Sequence, residues 1–414
     1  MAVPRMLRLR QNFPRPRVAD VPRAVAEALA GAGLPIKRGD TVAVGAGSRG
    51  IANIDIVVGA AVRWLEDLGA RPFVFPAMGS HGGGTPEGQR SVLEHYGISE
   101  STIGCPIRAT MEVVQVGEAL GLPVWLDRHA AEADWIGLVN RVKPHTDFKG
   151  AIESGLFKMM TIGLGKHTGA IQYHRANIHH GYETVITAVA REMLSKSRIG
   201  FGVGIVENGY DETARIEAFN AENLEAGERR LLKDARDWMA RLPFGQIDVL
   251  VVEEMGKNIS GAGMDTNVIG RPMNPHEPFP ADPKILWIVA LDLTDESYGN
   301  AAGIGNADFA TRRLVEKIDM KPTLINCITA CEPGAAKVPP TYETDREAIE
   351  TALSCIGLTP PEKARVVRIK NTLRLVEIEA SEAFLPEIAR RAELTKLGEP
   401  APLAFDAAGR LLRF

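Results

Sequence analysis

The sequence predicts an α/β protein of two domains, each with a mainly parallel sheet covered by helices. Short apolar runs typical of buried strands alternate along the chain with segments whose apolar residues recur at helical spacing. The length of 414 residues exceeds what one compact core of the usual size accommodates. A break at residues 242–245 (LPFG) divides this alternation in two. We expect an N-terminal domain over residues 1–244 and a C-terminal domain over 245–414, whose last residues could return to the first.

The first half begins with a strand at 41–44 (TVAV), which ends in glycines, and continues with a helix at 52–68. Thr85-Pro86 marks a further helix start, with the threonine as N-cap and the proline at the first helical position. The remaining expected elements are the strands 73–77, 135–142 and 199–206 and the helices 183–194 and 221–241.

In the second half, apolar runs predict buried strands and amphipathic segments predict helices. Thr344 and Glu347 form a capping box that opens one of these helices. Five prolines within 272–283 predict an irregular loop. The strands are expected at 247–254, 285–293 and 323–330, and the helices at 307–318 and 345–356.

The composition is that of an ordinary globular protein, with 45% apolar and 24% charged residues, which excludes wholesale disorder. The formal net charge of −4 provides no basic field, so we expect no nucleic-acid partner. No stretch approaches the roughly 18 to 20 apolar residues of a membrane span, and the arginine-rich N-terminus lacks the apolar region of a secretory signal. Four cysteines are too few for a disulfide scaffold. We expect a cytoplasmic protein without a membrane partner.

Histidines and lysines concentrate between residues 143 and 180. Histidine titrates near neutrality and is the commonest metal ligand, and five glycines in this segment let the backbone approach a ligand. A solvated basic loop is the alternative, but the concentration of these side chains favours a ligand site. They are His145, His167, His174, His179 and His180, with Lys143, Lys149, Lys158 and Lys166.

Residues 45–50 (GAGSRG) match the glycine pattern of dinucleotide-binding loops, after a strand and before a helix. That interpretation requires an acidic residue about 20 positions later, where the sequence has none. The loop still suits phosphate or carboxylate, because amides at a helix start and the guanidinium of Arg49 bind anions. Gly47 and Ser48 are therefore expected to contact a cofactor. The alternative is a tight turn with an exposed arginine.

Two further residues lie at expected strand ends. His81 follows the strand at 73–77 and precedes three glycines. Ligands bind at the carboxyl edge of open α/β sheets, which favours a catalytic histidine over a turn-stabilising one. Lys257 follows the strand at 247–254 in a glycine-rich loop, where it could meet an anionic ligand or simply be solvated.

Together these motifs resemble the nickel-dependent lactate racemase family. GSRG, MGSHGGG, KPHTDFKGAIESGLFK, His174 and the GKNISGAG loop stand in the order and spacing of that family. The resemblance covers most of the chain and implies two α/β domains with the active site in the cleft between them. It also implies a nickel-pincer nucleotide as cofactor, a pyridinium mononucleotide whose two sulfurs and one carbon hold nickel, and partner proteins that assemble it.

The resemblance implies roles for three histidines. His81 and His145 match the two acid/base catalysts on opposite faces of the substrate, and His174 matches the histidine that completes nickel coordination. Two histidines with pKa values near about 6.5 suit a reaction that inverts a stereocentre, because each stereoisomer needs a base on its own side. Soft sulfur ligands with one imidazole suit nickel.

The resemblance also implies roles for basic residues. Arg49 and Lys257 match residues that hold the substrate. Lys158 matches the lysine that tethers the cofactor, although the stretch that precedes it is a few residues longer than in the prototype. Lys149 and Lys166 remain rivals for that role, and a non-covalently held cofactor remains an alternative.

The sequence therefore predicts a racemase or epimerase that inverts C2 of a 2-hydroxy acid by reversible hydride transfer. Small polar side chains in the site segments favour a sugar acid, an aldonate such as gluconate. A zinc or iron metallohydrolase using the His145–His180 cluster is one alternative, although no H-E-x-x-H spacing is present. A non-catalytic nucleotide-binding protein is another. The polar side chains are Thr146, Asp147, Asn177, Asn258 and Ser260.

Overall fold

The computed structural model describes residues 3–47, 50–274 and 282–413. Its strands are β1 (Arg5–Gln11), β2 (Thr41–Ala46), β3 (Arg71–Pro76), β4 (Val113–Ala119), β5 (Leu122–Asp127), β6 (Trp135–Arg141), β7 (Ile199–Glu207), β8 (Thr213–Asn220), β9 (Gln246–Val252), β10 (Lys284–Ala290), β11 (Phe309–Thr311), β12 (Thr341–Tyr342), β13 (Val366–Ile369), β14 (Glu377–Ser381), β15 (Leu394–Lys396) and β16 (Ala401–Pro402).

The α-helices are α1 (Val21–Gly31), α2 (Ile54–Asp67), α3 (Pro86–His95), α4 (Glu100–Ile103), α5 (Arg128–Ala131), α6 (Leu156–Lys158), α7 (Lys166–His180), α8 (Tyr182–Lys196), α9 (Leu224–Trp238), α10 (Thr266–Ile269), α11 (Arg312–Glu316), α12 (Met320–Thr329), α13 (Asp345–Ser354) and α14 (Leu385–Ile388). A π-helical turn, Met159–Gly163, follows α6. Within the described residues, no helix is both long and apolar enough to cross a membrane.

The chain divides into two compact units. The N-terminal unit comprises residues 15–145 and 149–239, and the C-terminal unit comprises residues 1–14, 146–148 and 240–414. Both units combine helices with a largely parallel sheet, so the predicted α/β class is confirmed.

The N-terminal unit is built on a sheet with the strand order β3-β2-β6-β7-β8. The first four strands are parallel, and β8 is antiparallel to β7. Glycines on one face of β7 let helices approach closely, since a Cβ on Gly202 would lie 2.7 Å from Leu156 of α6 and one on Gly204 would lie 2.4 Å from Leu231 of α9. On the other face, Phe201 joins an apolar core shared with α1 and α2. Helices therefore cover both faces of this sheet.

The C-terminal unit is built on a longer sheet with the strand order β12-β11-β10-β9-β13-β14-β1-β15, and β16 pairs with β1. The strands from β12 to β13 are parallel, and β14, β1 and β15 are antiparallel to their neighbours. Helix α13 packs its buried residues on one face, against apolar residues of β9 and β10. The core on the other face includes Phe244 and Phe384, whose rings stack with centroids 3.8 Å apart.

The N-terminal residues lie in a different unit from the one expected. Strand β1 pairs with β14 and β15, so residues 1–14 belong to the C-terminal unit, and the last residues also stay in that unit. The physical reason is an alternation of exposed arginines with Leu7 and Leu9, which have no exposed surface. Such a strand buries one face although its composition is strongly basic.

Two predicted elements of the second half are wrong. The strand predicted at 323–330 is instead the last part of helix α12 with its C-cap, Ala330, and Asp319 opens this helix by accepting a first-turn backbone N–H at 2.9 Å. The predicted helix at 307–318 begins as strand β11 and becomes helical only at α11, where Thr311 is the N-cap. Apolar runs of this length do not distinguish a strand from a helix. In α12 the side chains of Leu324, Ile325 and Ile328 are exposed.

Predictions from helix-capping residues were more accurate than predictions from apolar runs. Thr85 caps α3 by accepting the N–H of Gly88 at 3.1 Å, and Thr344 and Glu347 form the predicted capping box at α13. Most of the loop predicted at 272–283 lies outside the described residues.

Candidate active site

Candidate residues of the N-terminal unit follow the carboxyl ends of its parallel strands. Gly47 follows β2, His81 follows β3, and the segment with His145 follows β6. The loop after β2 comes close to the end of β6, since a Cβ on Gly47 would lie 2.9 Å from Asn140 Oδ1. This edge is where open α/β sheets bind ligands. Ser48 and Arg49 lie outside the described residues, so their predicted roles stay predictions.

His81 stands at the start of a tight turn of three glycines. Gly82, Gly83 and Gly84 have φ values of +63°, +69° and +64°, a region that L side chains rarely adopt. A Cβ on Gly82 would also lie 2.3 Å from the backbone of Gly88 in α3. The turn therefore requires glycine, and it exposes His81 partly at the end of β3.

His145 lies in a loop that is closed at its neck and anchored by one carboxylate. Lys143 and Ser154 exchange two backbone hydrogen bonds of 2.8 and 3.2 Å. Within the loop, Glu153 has no exposed surface and accepts the backbone N–H of His145 at 2.5 Å. Arg236 of α9 forms an ion pair with the same carboxylate at 2.5 Å. Sequence reasoning missed Glu153 and Arg236, because their pairing joins residues far apart in the chain.

The imidazole of His145 is 3% exposed, and its Nε2 contacts Nζ of Lys158. Burial lowers the pKa of His145 well below 6.5, and the nearby charges of Lys158 and Lys149 lower it further. The expected pKa near 6.5 is therefore wrong for this histidine. His145 is neutral at physiological pH and can act as a base.

The ring of Tyr182 lies near both His145 and His174. The ring centroid of Tyr182 lies 5.9 Å from that of His145 and 6.1 Å from that of His174. Burial and the charge of Lys158 lower the pKa of His174 to about 4. Its Nδ1 is buried and has no hydrogen-bond partner among the described residues. The structure thus places both histidines near a tyrosine that sequence reasoning did not identify, and it brings Lys158 into contact with His145.

Helix α6, which carries Lys158, is held at its start by two hydrogen bonds. Glu228 of α9 accepts the N–H of Phe157 at 2.8 Å, and Asn140 donates to the carbonyl of Gly155 at 2.9 Å. Burial raises the pKa of Glu228 to about 8. The π-helical turn begins directly after Lys158, and such turns are frequent at functional sites.

The other two candidate lysines have different surroundings. Lys166 has no exposed surface and pairs with Asp127, with Nζ 3.3 Å from Oδ2. Lys149 donates to the carbonyl of His145 at 2.9 Å. Lys158 is the lysine whose charge acts on both His145 and His174, so its environment favours it over its rivals.

The remaining candidate histidines do not join this cluster. His167, His179 and His180 are exposed on α7. Across the described residues, no group of three or more His, Cys, Asp or Glu side chains is arranged to hold a metal ion. The metallohydrolase alternative therefore finds no ligand set in the part of the chain that the structure describes.

Lys257 belongs to the C-terminal unit, in the loop that follows β9. Its backbone N–H donates to Ser297 Oγ at 2.9 Å, and its Nζ donates to the carbonyl of Gly261. A Cβ on Gly256 would lie 2.0 Å from Thr294 Oγ1, so the loop packs closely against the one after β10. Lys257 is thus held within a compact, polar loop.

No family model matches this chain, and no curated protein matches it by sequence. Among solved structures, the chain is similar to the lactate racemase apoprotein from Thermoanaerobacterium thermosaccharolyticum. The TM-score is 0.55 at 13% sequence identity, over 89% of this chain and 93% of that chain. At this identity the likeness shows the fold, and it agrees with the two-domain α/β class predicted from the sequence.

Replacing Lys158 by methionine should raise the pKa of both His145 and His174. A positive charge disfavours the imidazolium form, and Lys158 is the charge that acts on both rings. NMR titration of the histidine ring protons measures both values. Lys149→Met is the control, and it should raise the pKa of His145 less and leave His174 unchanged. Equal effects of the two variants would contradict the geometry described here.

Replacing Glu228 by glutamine should stabilise the protein increasingly as the pH rises from about 5 to about 8. The folded-state pKa of about 8 exceeds the ordinary 4.5, so in this range the folded protein holds a proton that the unfolded chain releases. The contribution of Glu228 to wild-type stability therefore falls with rising pH, and a neutral glutamine removes that loss.

Chemical denaturation at several pH values measures the difference between Glu228→Gln and wild type. Glu225→Gln on the same helix is the control, because Arg191 lowers the pKa of Glu225 and the linkage has the opposite sign. A Glu228→Gln effect that does not change with pH would show that Glu228 is ionised in the folded protein.

Proposed function

We propose that this protein is a racemase or epimerase that inverts C2 of a 2-hydroxy acid by reversible hydride transfer to a nickel-pincer nucleotide. The observation that carries the proposal is the position of His145 and His174 near the same tyrosine, Tyr182, with Lys158 in contact with His145. The likeness of the fold to a lactate racemase apoprotein supports the same assignment.

The residues present fit this cofactor. Nickel held by two sulfurs and one carbon of the nucleotide needs a further ligand, and a neutral imidazole is suitable. His174 offers one, because its pKa of about 4 keeps it neutral and its buried Nδ1 has no partner among the described residues. Lys158 offers an amine for a tether, and the charges of Lys143 and Lys149 suit the phosphate of a mononucleotide.

A bound nucleotide of this kind would supply a reversible hydride acceptor for C2, which avoids a carbanion beside a carboxylate. The protein itself would move the proton of the substrate hydroxyl. His145 is neutral, and we assign it as the group that would accept that proton from one stereoisomer. His81 would accept it from the other. Arg49 and Lys257 would bind the substrate carboxylate.

We propose a sugar acid, such as an aldonate, as the substrate. Asn177 is 6% exposed, and its Oδ1 is buried without a partner among the described residues. It lies three residues from His174 on α7 and therefore on the same side of the helix. A buried polar atom without a partner costs about 1–3 kcal/mol, and a substrate hydroxyl would supply the missing donor.

Other polar residues expected near the substrate support this choice less. Asn258 Oδ1 accepts from Thr294 at 2.7 Å, and Ser260 Oγ accepts the N–H of Ala262 at 3.3 Å. Both side chains are therefore used within the loops of the C-terminal unit. Asn177, by contrast, has a buried oxygen without a partner among the described residues, which a hydroxyl of the substrate would satisfy.

The decisive experiment uses protein produced together with the cofactor-assembly proteins that the family resemblance implies. Aldonates and simpler 2-hydroxy acids are incubated in deuterated water, and NMR follows C2. We expect inversion with the original hydrogen retained at C2. Deuterium uptake at C2 would indicate carbanion chemistry instead, and no inversion of any acid by nickel-loaded protein would favour a non-catalytic nucleotide-binding protein. Nickel content is measured in parallel, and the His174→Ala variant should contain no nickel.

The variants His81→Ala and His145→Ala should each slow both directions of the reaction by the same factor, because an enzyme cannot change the equilibrium constant. Loss of a general base typically costs about 10²- to 10⁴-fold in rate. In a single turnover, however, each variant should still oxidise one stereoisomer, and not the same one. If both variants failed on the same stereoisomer, the two histidines would not serve opposite faces.

A further inference from the structure

Among the described residues of the N-terminal unit, Lys166 is the most deeply buried cation, and none of its surface is exposed. Its Nζ donates to the carbonyl of Pro76 and to Oε1 of Gln89, both at 2.7 Å, and lies 3.3 Å from Oδ2 of Asp127. These partners belong to the end of β3, to α3 and to the end of β5. One ammonium group therefore ties three elements together at the edge where the candidate site lies.

Gln89 links Lys166 to the turn that presents His81. Because its Oε1 faces the ammonium of Lys166, its Nε2 is free to donate to the carbonyls of Met78 and Gly79, at 3.0 and 2.8 Å. These carbonyls lie two and three residues before His81. The amide of Gln89, oriented by Lys166, thus fixes the backbone immediately before that histidine.

The same strand end is packed against the segment that leads to Lys166. A Cβ on Gly79 would lie 3.0 Å from Cβ of Ala170 on α7, and one on Gly163 would lie 2.6 Å from the carbonyl of Ala77. Lys166 itself has a φ of +54°. This left-handed conformation is unfavourable for a non-glycine residue and tends to persist at functional sites.

Stability alone is a poor explanation for this arrangement. Burial lowers the pKa of Lys166 and raises that of Asp127, because removal from water disfavours the charged form of each. Replacing a buried ion pair with apolar residues of similar volume is often neutral or stabilising. A lysine at this position therefore calls for a functional reason.

We propose that Lys166 is a positioning residue: through Gln89 it fixes the strand-end turn that presents His81 and joins that turn to α7, the helix that carries His174. The importance of this role for catalysis rests on the proposed function, in which His81 is a base and His174 a metal ligand. The geometric effect on the turn does not depend on it.

Two variants test the proposal, one at Lys166 and one at Gln89. Lys166→Met removes the ammonium and keeps most of the volume. Gln89→Glu keeps the size and the contact with Lys166, but a carboxylate cannot donate to Met78 and Gly79. Arg90→Met is the matched control on the same helix, because Arg90 bonds to Glu94, Glu100 and the carbonyl of Ile107 and not to the turn.

The first readouts need neither cofactor nor substrate. In both test variants, amide hydrogen exchange within 79–84 should increase at least tenfold, and the ring signals of His81 should shift, while exchange in β7 stays as in wild type. Arg90→Met should change neither readout. In cofactor-loaded protein, kcat should fall with little change in KM, because the base is displaced while the substrate contacts remain.

The outcomes separate this proposal from the proposed function. Folded Gln89→Glu protein with a wild-type turn and unshifted His81 signals would overturn the positioning role. If neither test variant folded, the network would be purely structural and the proposal would be wrong. If the turn loosened as expected but wild-type loaded protein inverted no 2-hydroxy acid, the positioning role would stand and the proposed function would fail.

Discussion

The candidate site depends on one buried carboxylate. Glu153 has no exposed surface, and its oxygens accept the backbone N–H groups of His145 and Gly150 and pair with Arg236. A buried charge without such partners would cost several kcal/mol. The loop that carries His145 must therefore close in an arrangement that satisfies this carboxylate, and the contact between His145 and Lys158 follows from that closure.

The fold could be predicted where local sequence and tertiary role agree. Apolar runs with glycines, as in β2 and β7, become central parallel strands, and cap residues such as Thr85 mark helix starts. The prediction failed where composition and environment disagree. Strand β1 buries Leu7 and Leu9 although its composition is strongly basic, and α12 exposes Leu324, Ile325 and Ile328 although its composition is apolar.

The types of residue in the candidate site could be predicted from the sequence, but their arrangement in space could not. A sequence identifies histidines and lysines as candidates, but it cannot distinguish Lys158 from Lys166, which differ only in what surrounds them. One faces two imidazoles, and the other is enclosed with an aspartate. Tyr182 and Glu228 were missed for a related reason, because their importance arises from contacts with His145 and Phe157, which lie far from them in the chain.

The path of the chain has a consequence for synthesis on the ribosome. Strand β1 is made first, yet its neighbour β14 is made near the end, and the ion pair between Arg8 and Glu377 spans 369 residues. All of the N-terminal unit emerges between them and can fold as it leaves the exit tunnel. Strand β1 therefore stays unpaired until β14 has been synthesised. Its three arginines, at positions 5, 8 and 10, keep the unpaired strand charged, which disfavours aggregation.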